Sequence, residues 1–278
     1  MGAGLFKKII LSDYINVNFV QYIFDDPSRH TGLECLLGVY GYALVIYCDF
    51  SGYSEMAIGM ARWFGFRIPE NFRMPYQSAT ITEFWRRWHI SLSSWLRDYL
   101  YIPLGGNRKG KVRTYVHLFI TMVLGGFWHG ASWNFLIWGA LHGGMLAVEK
   151  LVGGPQKVQA AGRVGKWLGV LFTFHFVCFC WIFFRAATLE DALVVIRQVF
   201  SNFGASGIGE LWAHYGNVFG MMALGFLFQF VPWQMAEGLR LRSAAWHPVV
   251  HVLLFLLFMF LCVQVKTAEQ VLPVYLQF

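Results

Sequence analysis

The sequence predicts an all-α, multi-span integral membrane protein. Three observations carry this. Of its 278 residues, 57% are hydrophobic and 13% charged, whereas a soluble domain carries about 25% charged and roughly 45–50% apolar residues. Four stretches contain no Asp, Glu, Lys or Arg: 114–148, 167–184, 211–236 and 243–265. The long alternating strands of a barrel are absent, and only helices or closed barrels satisfy their backbone groups in lipid. This composition excludes a disordered chain, a coiled coil, a collagen-like fibre and an ordinary cytosolic enzyme.

The elements follow in chain order. Lys7-Lys8 is followed only by Ile9, Ile10 and Leu11 before Ser12-Asp13, which is too short an apolar run for a signal peptide. Residues 35–48 form a weaker span. It is closed by Asp49-Phe50-Ser51-Gly52-Tyr53-Ser54-Glu55, where two acids read as a helix end beside the membrane. Between Arg62 and Arg113 lie 10 basic and 3 acidic residues, a surplus equal to the whole net charge of +7. That segment is expected to face the cytoplasm. Its cations read either as a topology signal that contacts lipid headgroups or as the holders of a cytosolic anion such as a nucleotide phosphate.

Within that segment, 81–101 reads as one amphipathic interfacial helix. Ile81, Phe84, Trp85, Trp88, Leu92, Trp95 and Tyr99 form an apolar stripe, and Glu83, Arg86, Arg87, Ser94, Arg97 and Asp98 cover the other face. Thr80-x-x-Glu83 is a capping-box pattern at its start, and Pro103 with Gly105-Gly106 ends it. Gly105-Gly106-Asn107-Arg108 is a weak candidate anion turn. The uncharged stretch 114–148 exceeds the ~20 residues of one span and is expected to break at Gly125-Gly126. The linker 149–166 is basic and reads as cytoplasmic; 185–210, with two basic and three acidic residues, reads as external.

Few polar groups interrupt the apolar stretches. His129, in Trp128-His129-Gly130, lies inside the longest one. An ionisable group in such a place is rare unless paired or functional, and a neutral imidazole is a competent general base. A histidine bonded to a neighbouring helix satisfies the same pattern. His142 follows thirteen residues on, a spacing that also suits stacked haems, but of the candidate partners His175, His214, His247 and His251 only one has a partner at a comparable span. His89, beside Trp88, reads as a structural donor or a catalyst. The five cysteines, Cys35, Cys48, Cys178, Cys180 and Cys262, sit in or beside apolar runs, have no zinc spacing, and read as small core residues.

The motifs become recognisable as a set. They are Cys48–Gly59, Asn71-Phe-Arg-Met-Pro-Tyr76, Glu83-Phe-Trp-Arg-Arg-Trp-His-Ile-Ser-Leu-Ser93, Leu96–Arg108, Gly126-Phe-Trp-His-Gly-Ala131, Trp138-Gly-Ala-Leu-His-Gly143 and Trp181-Ile-Phe-Phe-Arg185. Together they resemble the membrane-bound O-acyltransferases of the bacterial alginate O-acetyltransferase type. The match runs from about residue 4 to 200; residues 201–278 match only in hydropathy. The chain reads as one partial catalytic-core domain, 1–278, that looks N-terminally truncated, and His117 stands where an asparagine is expected.

The resemblance implies a multi-pass enzyme of a bacterial inner membrane, with a cytosolic opening for the acyl donor. It maps the essential histidine onto His129 and a second polar position onto His89, which would orient the acyl carbonyl or donate to its oxyanion. His142 and Asp49 are secondary candidates. Arg86, Arg87, Arg108, Lys109 and Lys111 are candidates for holding the donor's phosphates. The donor is acetyl-coenzyme A or another acyl carrier, used as a substrate; no bound cofactor and no metal are expected. The acceptor is an exported polysaccharide, reached directly or through an extracytoplasmic esterase-like acetyltransferase. Polymer synthase or export proteins and membrane lipids are the other partners, and no nucleic acid. Alternatives are D-alanyl transfer to teichoic acid and a non-catalytic channel or export subunit on the same fold.

The charge distribution makes a topological prediction. Lys109→Cys is expected to react with a membrane-impermeant thiol reagent, above the level of the parent protein, only after cells are opened. Labelling of intact cells at that position would invert the assignment.

Overall fold

In a computed structural model, the described residues are 1–204, 208–231 and 233–265, and their regular structure is all helical, without strands. A helical run over 2–25 (α1) is wound partly as π-helix at Phe6–Asp13 and Asn16–Val20. The helices that follow are α2 (Gly32–Trp63), α3 (Ile81–Trp85), α4 (Ile90–Leu96), α5 (Lys111–His129), α6 (Trp133–Val152) and α7 (Gly154–Ala160). The chain continues through α8 (Gly162–Arg185), α9 (Leu189–Ser201), α10 (Ile208–Phe230), α11 (Trp233–Ser243) and α12 (Pro248–Val265). Among these, α2, α6 and α8 are each long and apolar enough to cross a membrane.

Helix α2 runs through the middle of the protein. Thr31 starts it with a capping box: its hydroxyl accepts from the Glu34 N–H, and the Glu34 carboxylate accepts from the Thr31 N–H. The residues from Tyr42 to Gly52 are buried between α1, α8 and the loop that precedes α3. Asp49 does not end this helix. It is buried at 2% exposure, 2.5 Å from the Lys8 ammonium of α1, which also bonds Asp13 at 2.7 Å. A carboxylate paired in this way can continue an apolar helix, so the reading of a helix end at Asp49–Glu55 is corrected.

Helices α5 and α6 form an antiparallel hairpin, as the length of 114–148 requires, but the break falls at 130–132 rather than at Gly125-Gly126. The glycines have a different use. A Cβ on Gly126 would lie 2.2 Å from the Phe135 carbonyl oxygen, and one on Gly139 would lie 2.4 Å from that of Met122. The two backbones therefore touch, which is the usual role of small residues between helices in lipid. The outward faces carry Phe119 and Leu124 on α5 and Leu171 and Phe172 on α8, all exposed. Such a surface suits a hydrocarbon solvent.

The segment 81–101 is helical but broken. Helix α3 ends at Trp85, the chain turns through Arg86–His89, and α4 resumes at Ile90, with a π-type turn at Arg97–Tyr101. Ile81, Phe84, Trp85 and Trp88 are buried in the protein core, whereas Trp95 and Tyr99 are exposed. Only the later half of the stripe is thus free to meet a membrane surface. Further on, the uncharged stretch 211–236 is helical only to Phe230 before α11 begins. The thiols of Cys35, Cys48, Cys178 and Cys180 are buried and unlinked, as small core residues should be.

Gly139→Val should force the α5–α6 hairpin apart. The expected loss is on the order of 1–3 kcal/mol, read as a lower midpoint of thermal unfolding for the detergent-solubilised full-length protein. An unchanged midpoint would mean that the helices do not touch there.

Candidate active site

The site is assembled on α6. Near its end, Glu149 is buried, and its carboxylate accepts from the backbone N–H of Ile81, from that of Thr82 at 2.9 Å and from the Thr82 hydroxyl at 2.7 Å. The Thr80 hydroxyl accepts from Glu83 N–H at 3.1 Å, so the first three donors of α3 are all satisfied. The second half of the expected capping box is displaced by one residue, since Glu83 accepts from Ala79 N–H instead. Two turns back along α6, His142 is fully buried, and its Nδ1 accepts from the Trp85 indole N–H at 3.3 Å. One turn further, Trp138 packs edge-on against Trp85 with ring centroids 5.7 Å apart. Helix α6 thus sets where α3 lies and where the turn after it emerges.

His89 occupies that turn with φ +42°, a left-handed conformation unusual for a side chain with a Cβ. Such a residue costs about 1–3 kcal/mol and persists where its surroundings over-determine it. Here the loop 71–74 supplies the constraint. Ile90 N–H donates to the Asn71 carbonyl at 3.0 Å, Ser91 N–H to Asn71 Oδ1 at 3.0 Å, and Arg73 N–H to the Arg87 carbonyl at 2.9 Å. Phe50 meets the His89 ring edge-on at 4.6 Å between centroids, and Phe72 stacks on it at 6.4 Å.

His129 ends α5, and its ring packs edge-on against Trp138 at 5.3 Å and Phe184 at 5.0 Å. His89 and His129 line one narrow cavity, together with Trp85, Trp88, Trp138, Trp181 and Phe184 and the aliphatic Ile46 and Leu92. Both histidines are at least nine-tenths buried. Among the described residues, the wall has no carboxylate, ammonium or guanidinium. Two imidazoles in an apolar, aromatic enclosure can exchange a proton with a substrate hydroxyl while water is kept away. The Trp138 indole N–H is buried without an acceptor among the described residues, so the wall also holds a donor that they leave unused.

The other predicted residues are dispersed. His142 lies behind Trp85 and Trp138 and does not line the cavity. Because its Nδ1 accepts, its proton sits on Nε2, which has no acceptor among the described residues. Asp49 is held by Lys8, away from the cavity. Arg87 is engaged with Glu83 at 2.6 Å, while Arg86, Arg108, Lys109 and Lys111 are exposed. Gly105 and Gly106 make a positive-φ turn, and His117 Nδ1 donates to the Gly106 carbonyl at 3.1 Å, so His117 serves that turn. Reasoning from the sequence missed Asn71 and Glu149. The signals were present: Asn71 opens a motif, and Glu149 is the first charge after the longest uncharged stretch.

The chain belongs to the MBOAT, membrane-bound O-acyltransferase family, whose family model matches residues 9–189. It is 49% identical over 208 residues to "Probable alginate O-acetylase AlgI" of Pseudomonas putida, covering 75% of this chain and 41% of that protein. It is 41% identical over 203 residues to the peptidoglycan O-acetyltransferase of Helicobacter pylori, covering 73% and 38% of the two chains. With the teichoic acid D-alanyltransferase of Bacillus subtilis it shares 31% over 186 residues, 63% of this chain and 47% of the other. The chain therefore spans less than half the length of these curated relatives.

Glu149→Gln should loosen the start of α3, because an amide offers one accepting oxygen and turns an N–H₂ toward backbone donors. The expected destabilisation is about 1.5–3 kcal/mol, the range for a hydrogen bond to a charged group, read from thermal unfolding. An unchanged midpoint would show that the cap is dispensable.

Proposed function

We propose that the chain is the core of a multi-pass inner-membrane O-acyltransferase. In this reading it moves an acetyl group from a cytosolic donor such as acetyl-coenzyme A to hydroxyls of an exported polysaccharide. The pairing of His89 and His129 on one apolar cavity wall carries the reading. The acyl thioester is cytosolic and the sugar is outside, so a site enclosed within the membrane protein can serve both. The acceptor hydroxyl belongs to the polymer or to an extracytoplasmic esterase-like partner, next to the polymer synthase or export proteins. Acetyl rather than an aminoacyl group is supported by the identities, 49% and 41% to O-acetyl-transferring relatives against 31% to the D-alanyl one.

The chemistry is direct transfer. His129 takes the proton as the hydroxyl oxygen bonds to the acyl carbon. The tetrahedral intermediate then collapses, the carbon–sulfur bond breaks, and the proton passes from the imidazolium to the leaving thiolate. None of the described cysteines lines the cavity, so no thiol nucleophile is invoked. Arg86, Arg108, Lys109 and Lys111, all exposed, would hold the donor's phosphates.

His129→Ala in the full-length protein should abolish polymer acylation while membrane insertion is unchanged; a positioned base contributes about 10²–10⁴-fold. Acylation at the wild-type level would end the assignment. Neutralising Arg86, Arg108, Lys109 and Lys111 together should raise the donor KM of correctly inserted, reconstituted protein and leave kcat close to normal. An unshifted KM would leave those cations a topological role only.

A further inference from the structure

We infer that Asn71 is a positioning residue that holds His89 in the tautomer whose Nε2 accepts a proton. The inference rests on the transferase reading for its catalytic consequence, but the geometry stands by itself. Asn71 Oδ1 lies 3.2 Å from His89 Nδ1 and also receives the Ser91 N–H and the Ser91 hydroxyl, each at 3.0 Å. The Ser91 backbone N–H can only donate, so the Asn71 atom facing this cluster is the carbonyl oxygen and not the amide nitrogen. A carbonyl oxygen can only accept. The Ser91 hydroxyl also lies 3.4 Å from His89 Nδ1, but its one hydrogen goes to Asn71 Oδ1 at the shorter 3.0 Å, which leaves its oxygen to accept. His89 Nδ1 therefore carries the hydrogen, and in the neutral ring Nε2 is left with its lone pair.

The backbone of Asn71 acts on the same residue. Its carbonyl accepts from Ile90 N–H at 3.0 Å, immediately after the left-handed His89. One side chain and its own carbonyl thus fix the ring's tautomer and the strained turn that carries it. An Nε2 lone pair cannot donate to an oxyanion. The role open to His89 beside His129 is that of a second proton acceptor, which shares the proton taken from the attacking hydroxyl before it returns to the leaving thiolate. The developing oxyanion then needs another donor, and the unused Trp138 indole N–H lies in the same wall.

The test reads the tautomer and the kinetics separately, in the full-length protein in lipid nanodiscs. Nitrogen-15 spectra of ring-labelled histidine, assigned for His89 by difference against His89→Gln, should show a protonated Nδ1 and an unprotonated Nε2. Asn71→Ala should remove that signature and lower kcat on the order of 10–100-fold, the usual effect of losing an orienting partner, with donor KM unchanged. Asn71→Asp, which keeps the accepting oxygen, should retain Nδ1 protonation and, unlike Asn71→Ala, most of kcat. An unprotonated Nδ1 in the wild type overturns the inference without any variant, as does a wild-type kcat in Asn71→Ala. If the wild-type protein transfers no acyl group but the nitrogen signature follows position 71, the transferase reading falls and the positioning role stands.

Discussion

The Glu149 carboxylate is the fastening on which the site depends. It reaches from the end of an apolar helix to the first backbone donors of α3, 68 residues earlier in the chain. A five-residue helix cannot hold its own conformation in isolation, because nucleation costs more than so few hydrogen bonds return. With its N-terminus tied to α6, Trp85 meets His142 and Trp138 on the same helix, and the chain turns at His89 into the cavity. The hairpin contact at Gly126 and Gly139 then brings the end of α5, with His129, to the other side of that cavity. Two histidines forty residues apart are thereby placed by a single ruler, α6.

The two histidines are supported differently. His129 packs between the rings of Trp138 and Phe184 at the mouth of a hairpin. His89 is held by hydrogen bonds that compensate a backbone conformation most side chains avoid. The bond to Asn71 sets the proton inventory of the His89 ring in advance.

Much of the fold was legible in the sequence, and the exceptions share a cause. The uncharged stretches marked α5, α6, α8 and α12, and the buried thiols followed from their apolar surroundings. Gly125-Gly126 was misread because a glycine pair looks like a break in water and is a contact surface in lipid. Asp49 looked like a boundary because its partner, Lys8, lies on a different helix. The stripe at 81–101 has helical period throughout, yet no local pattern announces the left-handed His89, since its turn is held by Asn71 eighteen residues upstream. The resemblance of their motifs assigned both histidines roles in the same transfer; spacing alone left each with a plausible structural role.

The Lys8–Asp49 pair bears on how the protein is made. Asp49 lies within the longest apolar helix, and its partner lies on the preceding one. A lone charge near the centre of a membrane helix costs about 2.5–3.5 kcal/mol at the insertion machinery. Pairing with Lys8 on α1 offsets part of that cost, so the helical run that precedes α2 helps to hold α2 in the bilayer.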